Sequence, residues 1–157
     1  MSILKKILLV LLLVFIALQF IRPARNIGQV GQADIANRLM VPGSVEGILK
    51  TSCYDCHSNN TRYPCYANIQ PMGWLLANHI KEGKAELNFS EFGSYSQRRQ
   101  MSKLKAIENS IKDGTMPLTS YILIHKDAKL SKEEKAFVIE WATRTRDSLS
   151  LRRQSKD

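Results

Sequence analysis

The segment Cys53-Tyr54-Asp55-Cys56-His57 constrains this chain more than any other stretch. Two thiols three positions apart, followed without a gap by an imidazole, form the attachment sequence for c-type haem. The spacing lets both thiols add to the two vinyl groups of one porphyrin, and it holds the histidine below the iron as proximal ligand. Three other uses of these residues compete. A disulfide or thioredoxin-like redox pair lacks its strand-helix context. A structural zinc on Cys53, Cys56, His57 and Cys65 has the right ligand count, but the position of Cys65 matches no familiar zinc spacing. Buried thiols that only pack are the third.

A chain of 157 residues supplies one small domain, which excludes a TIM barrel or a two-domain dehydrogenase. Apolar residues make up 44% of it, yet Ile7–Ile21 takes a large share, so the remainder is short of core material without a staple or cofactor. The net charge of +9 is scattered. With no dense basic block and no basic-aromatic strip, it excludes a nucleic-acid footprint and suggests an acidic protein or an anionic membrane face.

Lys5 and Lys6 precede the apolar run, broken only by Gln19. A positive front before such a run directs insertion with the N-terminus in the cytoplasm. No small-x-small cleavage pattern follows, so the reading is an uncleaved anchor. The expected organisation is a signal anchor or transmembrane helix over 1–22, a linker over 23–43, a haem c-binding domain over 44–148 and a polar tail over 149–157. The haem domain is expected in the periplasm, tethered to a bacterial inner membrane. The sequons at Asn59 and Asn88 are read as chance.

The domain reads as all-α. Ser44 is expected to cap a helix carrying Val45, Ile48 and Leu49 that runs into Cys53. A second helix is expected from Pro71 to a stop at Gly83. A third spans Ser96 to Asp113, with Met101, Leu104, Ile107 and Ile111 on one stripe and Gly114 ending it. A fourth starts with the capping box Ser131/Glu134 and turns Phe137, Val138 and Trp141 inward. A porphyrin is expected between the first, third and fourth of these.

Met116 is the leading candidate for the sixth iron position. It lies in a loop after a helix stop, and thioether ligation favours electron transfer. Met72, His79 and His125 are the alternatives.

These stretches together are similar to the exported haem-binding domain family of bacterial c-type cytochrome-like proteins, common in Bacteroidetes. The matching segments are 53–64, Ile69-Gln-Pro-Met-Gly-Trp74, His79-Ile-Lys-Glu-Gly83, Leu87-Asn-Phe-Ser-Glu-Phe92, Gly114-Thr-Met-Pro-Leu118 and Leu130–Glu134 before Trp141. The resemblance implies a cytochrome c-like helical fold around one covalent haem c, with His57 proximal and Met116 distal, and it brings no enzyme activity with it. Cys65 departs from the aromatic residue usual there; it is read as a small buried residue or as the site of an intermolecular disulfide. The expected function is single-electron transfer outside the cytoplasm to a redox partner protein, guided by Lys50, Arg62, Lys81 and Lys84. A haem-based sensor with an open sixth position is the alternative.

Overall fold

The computed structural model describes residues 2–29 and 31–154, and these are helical with no strand. Eight α-helices follow in order: α1 (Ile3–Leu18), α2 (Ile35–Arg38), α3 (Gly43–Ser52), α4 (Tyr54–His57), α5 (Met72–Glu86), α6 (Gln97–Lys112), α7 (Thr119–Ile124) and α8 (Lys132–Gln154). Three 3-10 turns, Cys65–Asn68, Phe89–Ser94 and Lys126–Ala128, join them. The all-α expectation therefore stands.

The expected membrane-spanning helix does not. α1 has 16 residues, about 24 Å at a rise of about 1.5 Å each, against a hydrocarbon layer of about 30 Å. No helix among the described residues is long and apolar enough to cross a membrane. The apolar run ends its helix early because residues 19–21 turn away to meet the domain. Gln19 Oε1 accepts from the Gln70 amide at 2.8 Å, and Trp74 Nε1 donates to the Ile21 carbonyl at 2.8 Å.

The expected linker is packed as well. Asp34 and Ile35 are buried, and Asp34 caps α2 by accepting from the Ala36 amide at 3.0 Å. The Gly28 amide donates to Asn59 O at 2.6 Å, and the Asn26 side chain donates to Ser58 O and Thr61 Oγ1 at 2.8 and 2.9 Å. These bonds give a Gly- and Pro-interrupted segment fixed partners without helical periodicity.

The core joins α3, α6 and α8. Leu49, Leu104, Phe89, Phe92, Val138 and Ala142 are essentially inaccessible. In α6 the predicted stripe is correct: Leu104, Ile107 and Ile111 are buried and Met101 packs against them. Ser96 caps this helix and Gly114 leaves it at φ +68, the left-handed conformation glycine adopts without a Cβ penalty. In α8 the capping box forms as expected: the Ser131 amide donates to Glu134 Oε2 at 2.8 Å, and the Glu134 amide donates to Ser131 Oγ at 3.1 Å.

Three expectations fail locally. Ser44 is not a cap; α3 starts two residues earlier than expected, at Gly43 after Pro42. Phe137 is half-exposed while Val138 and Trp141 are buried, because adjacent positions point about 100° apart on a helix. The polar tail is helical to Gln154, with Leu149 buried and its carbonyl accepting from Gln97 Nε2. The last three tail residues, 155–157, lie outside the described part.

Candidate functional site

α3 and α4 are separated by the single residue Cys53, whose φ of −129° breaks the helix. The Cys53 carbonyl then accepts from the Cys56 and His57 amides at 3.2 and 3.0 Å. This tight turn brings both thiols and the imidazole onto one short helical segment. Burial pushes the Cys53 thiol up to about 12 and the Cys56 thiol up to about 11, with the Asp55 carboxylate adding to the shift at Cys56. Both stay protonated at neutral pH.

His57 is fixed by its backbone partner. Its Nδ1 lies 3.0 Å from the Leu87 carbonyl. A carbonyl only accepts, so Nδ1 carries the proton and Nε2 keeps a free lone pair. Burial also lowers the pKa of the ring, favouring the neutral form that binds metal. Phe89 packs edge-on to it at 6.2 Å, and Tyr54 stacks on the same phenyl ring at 5.0 Å.

Cys53, Cys56, His57 and Met116 line one cavity of about 250 Å³, together with His79, Glu82, Gly83, Glu86, Pro117, Leu118 and Tyr121. α5 approaches this turn closely. A Cβ on Gly83 would stand 2.7 Å from the Cys56 carbonyl oxygen, so Gly83 lies inside α5 as a contact point and does not end it. A larger, open groove of about 610 Å³ between residues 39–45 and α8 contains no residue of the attachment turn. The donor chemistry marks the smaller hollow.

Of the three helices expected around the porphyrin, only α3 reaches this cavity; among the described residues α6 and α8 contribute no lining residue. The cavity is walled by the end of α3 at Ser52, α4, α5, residues 116–118 and Tyr121 of α7, while α6 packs against α8 elsewhere. Of the candidates for the sixth position, Met116 and His79 line the cavity; Met72 and His125 do not. His125 is engaged by the Tyr66 hydroxyl at 2.8 Å and by stacking on Tyr121 at 4.2 Å. Cys65 is exposed on its 3-10 turn, and no group of three metal-binding side chains forms among the described residues. The zinc alternative therefore lacks its ligand set among the described residues. Three of the four cations expected to guide docking already have partners. Lys50 pairs with Glu46 at 2.5 Å, Arg62 with Asp55 at 3.3 Å, and Lys84 donates to Asn26 Oδ1 at 2.7 Å.

The sequence reading missed Asp55. It is buried, its Oδ1 accepts from the Arg62 amide at 3.0 Å, and its Oδ2 accepts from the Tyr121 hydroxyl at 2.7 Å. Burial and this carboxylate push the Tyr121 phenol above its ordinary value, so it remains a donor. The positions between the two cysteines carry no spacing rule, so no pattern flagged Asp55.

The residues fit a porphyrin. Two thiols, an imidazole with Nε2 free, and a thioether share one largely apolar cavity. The family model for a haem-binding domain matches residues 13–144. The chain belongs to the haem-binding domain family. The match takes in residues 23–43, in keeping with the burial of Asp34 and Ile35 and the bonds of Asn26 and Gly28 to the domain. The chain is also 29% identical over 120 residues to the cytochrome c peroxidase Ccp of Escherichia coli strain K12. That alignment covers 73% of this chain and 26% of the relative, so the chain spans about a quarter of that protein's length. No solved structure matches.

Proposed function

We propose that this haem-binding domain carries one covalent haem c and acts as a single-electron carrier outside the cytoplasm. Cys53 and Cys56 form the thioethers, each S–H adding across a vinyl C=C. His57 Nε2 is the proximal ligand and Met116 the distal one. Bound haem supplies a one-electron iron couple, which thioether ligation tunes upward. The supporting observation is that these four residues line one cavity with the His57 tautomer already fixed by Leu87. The residues around it serve to hold the ligands: Asp55 and Arg62 brace the attachment turn, and Gly83 admits α5 against it. The lysine-led apolar segment of α1 is read as the export and tethering element, and a redox protein partner as the electron's source or destination.

The test is optical. The full chain is expressed with a c-haem maturation system and its denaturing gel is stained for haem. The expected result is covalent haem with the near-infrared methionine-to-ferric-iron band, and loss of that band in Met116→Ala. No covalent haem despite active maturation would overturn the assignment.

One observation favours a second reading. Met116 is 37% exposed, and His79 and Glu82 line the same cavity. An open sixth position flanked by these groups would suit a ligand sensor, or peroxide chemistry of the kind named in the Escherichia coli relative. A high-spin wild-type spectrum that shifts with carbon monoxide would decide for this reading.

A further inference from the structure

The loop that carries Met116 is secured unequally at its two ends. At its start, the Thr115 and Met116 amides both donate to the Ser110 carbonyl at the end of α6, at 3.0 and 3.3 Å. At its far end comes α7, six residues with none buried. α7 packs chiefly on the 3-10 turn that directly follows it. Among the described residues it hydrogen-bonds the attachment turn through Tyr121, whose hydroxyl donates to Asp55 Oδ2 at 2.7 Å. Asp55 is itself rigidly held. It is 7% exposed, its carboxylate accepts from the Arg62 amide, Nε and Nη2 at 3.0, 3.3 and 3.4 Å, and its carbonyl accepts from Thr61 Oγ1 at 2.6 Å.

We propose that Tyr121 is a positioning residue for Met116, its hydroxyl latching α7, and with it the 115–118 loop, to Asp55 between the two haem-attaching cysteines. This rests on the ligand set proposed above. The latch joins the loop bearing Met116 to the turn bearing His57, so with haem bound it would set how readily Met116 yields to a competing ligand. A hydrogen bond to a charged acceptor is strong enough for its loss to shift such a competition by about tenfold.

The test uses the full-length holoprotein and imidazole as a competing ligand. Tyr121→Phe keeps the ring stacked on His125 and deletes only the hydroxyl. Relative to wild type it is expected to bind imidazole about tenfold more tightly, and to lose the methionine–iron band at lower imidazole. Amide hydrogen exchange over residues 115–124 is expected to quicken, with α6 and α8 unchanged. Tyr66→Phe deletes the neighbouring hydroxyl on His125 and is expected to leave imidazole binding as in wild type. If wild type shows the band while Tyr121→Phe matches it in both imidazole affinity and loop exchange, the positioning role is overturned. If wild type itself lacks covalent haem or the band, the ligand set falls and the latch with it.

Discussion

At the scale of single residues, two glycines in helices have opposite meanings. A Cβ on Gly83 meets the Cys56 backbone at 2.7 Å, whereas one on Gly47 in α3 meets nothing within 4 Å. Gly83→Ala must push α5 off the attachment turn, because backbone cannot yield as a side-chain tip can. It is expected to lower stability by about 1–3 kcal/mol in a urea titration and to reduce the haem-stained fraction. Gly47→Ala is expected to raise stability by up to about 1 kcal/mol in the same titration, from helix propensity alone. Sequence alone could not separate the two. Glycine reads as a helix stop unless the partner surface is known, and that surface is the carbonyl of a residue 27 positions away. Cys53, Cys56 and His57 were legible because their spacing is set by the porphyrin itself. Asp55 and the Leu87 carbonyl were not, because neither a spacer position nor a backbone group carries a composition signal.

At the scale of elements, legibility followed periodicity and capping. α6 was readable from its apolar stripe, and α8 from the reciprocal Ser131/Glu134 bonds. Ser131→Ala leaves the Glu134 amide without its side-chain acceptor and is expected to cost about 1 kcal/mol, read as a lower thermal midpoint. α7 was invisible for the converse reason. Thr119-Ser-Tyr-Ile-Leu-Ile124 is a short apolar run with no polar alternation, and Leu123 and Ile124 remain exposed. Nothing in such a stretch distinguishes a buried strand, a loop and one and a half turns of helix. The position of the cavity was misjudged in consequence, since α7 and the loop before it form one of its walls.

At the scale of the molecule, a buried carboxylate ties the two longest helices of the domain together. Glu108 on α6 accepts from Lys105 at 3.1 Å, Lys112 at 2.6 Å and, across the helix pair, Arg146 on α8 at 2.7 Å. The lysine hydrogen bonds hold its carboxyl down at about 2, from an ordinary 4.5. A depressed carboxylate stabilises the fold fully above its unfolded value, and that contribution is lost as pH falls toward the folded one. The thermal midpoint of wild type is therefore expected to drop between about pH 4.5 and 2 relative to Glu108→Gln, which should be flatter in that window; parallel curves would refute the assignment. The anchoring of Asn26, Gly28, Asp34 and Ile35 on the domain was the largest feature hidden from sequence, because it comes from partners far along the chain. That docking extends upstream to α1, whose end is bound to Gln70 and Trp74. The apolar helix thus meets the domain through polar contacts just past its end, while none of its own residues is buried. A surface that takes up α1 is therefore coupled to the domain through residues 19–21, where Gln70 and Trp74 hold the chain.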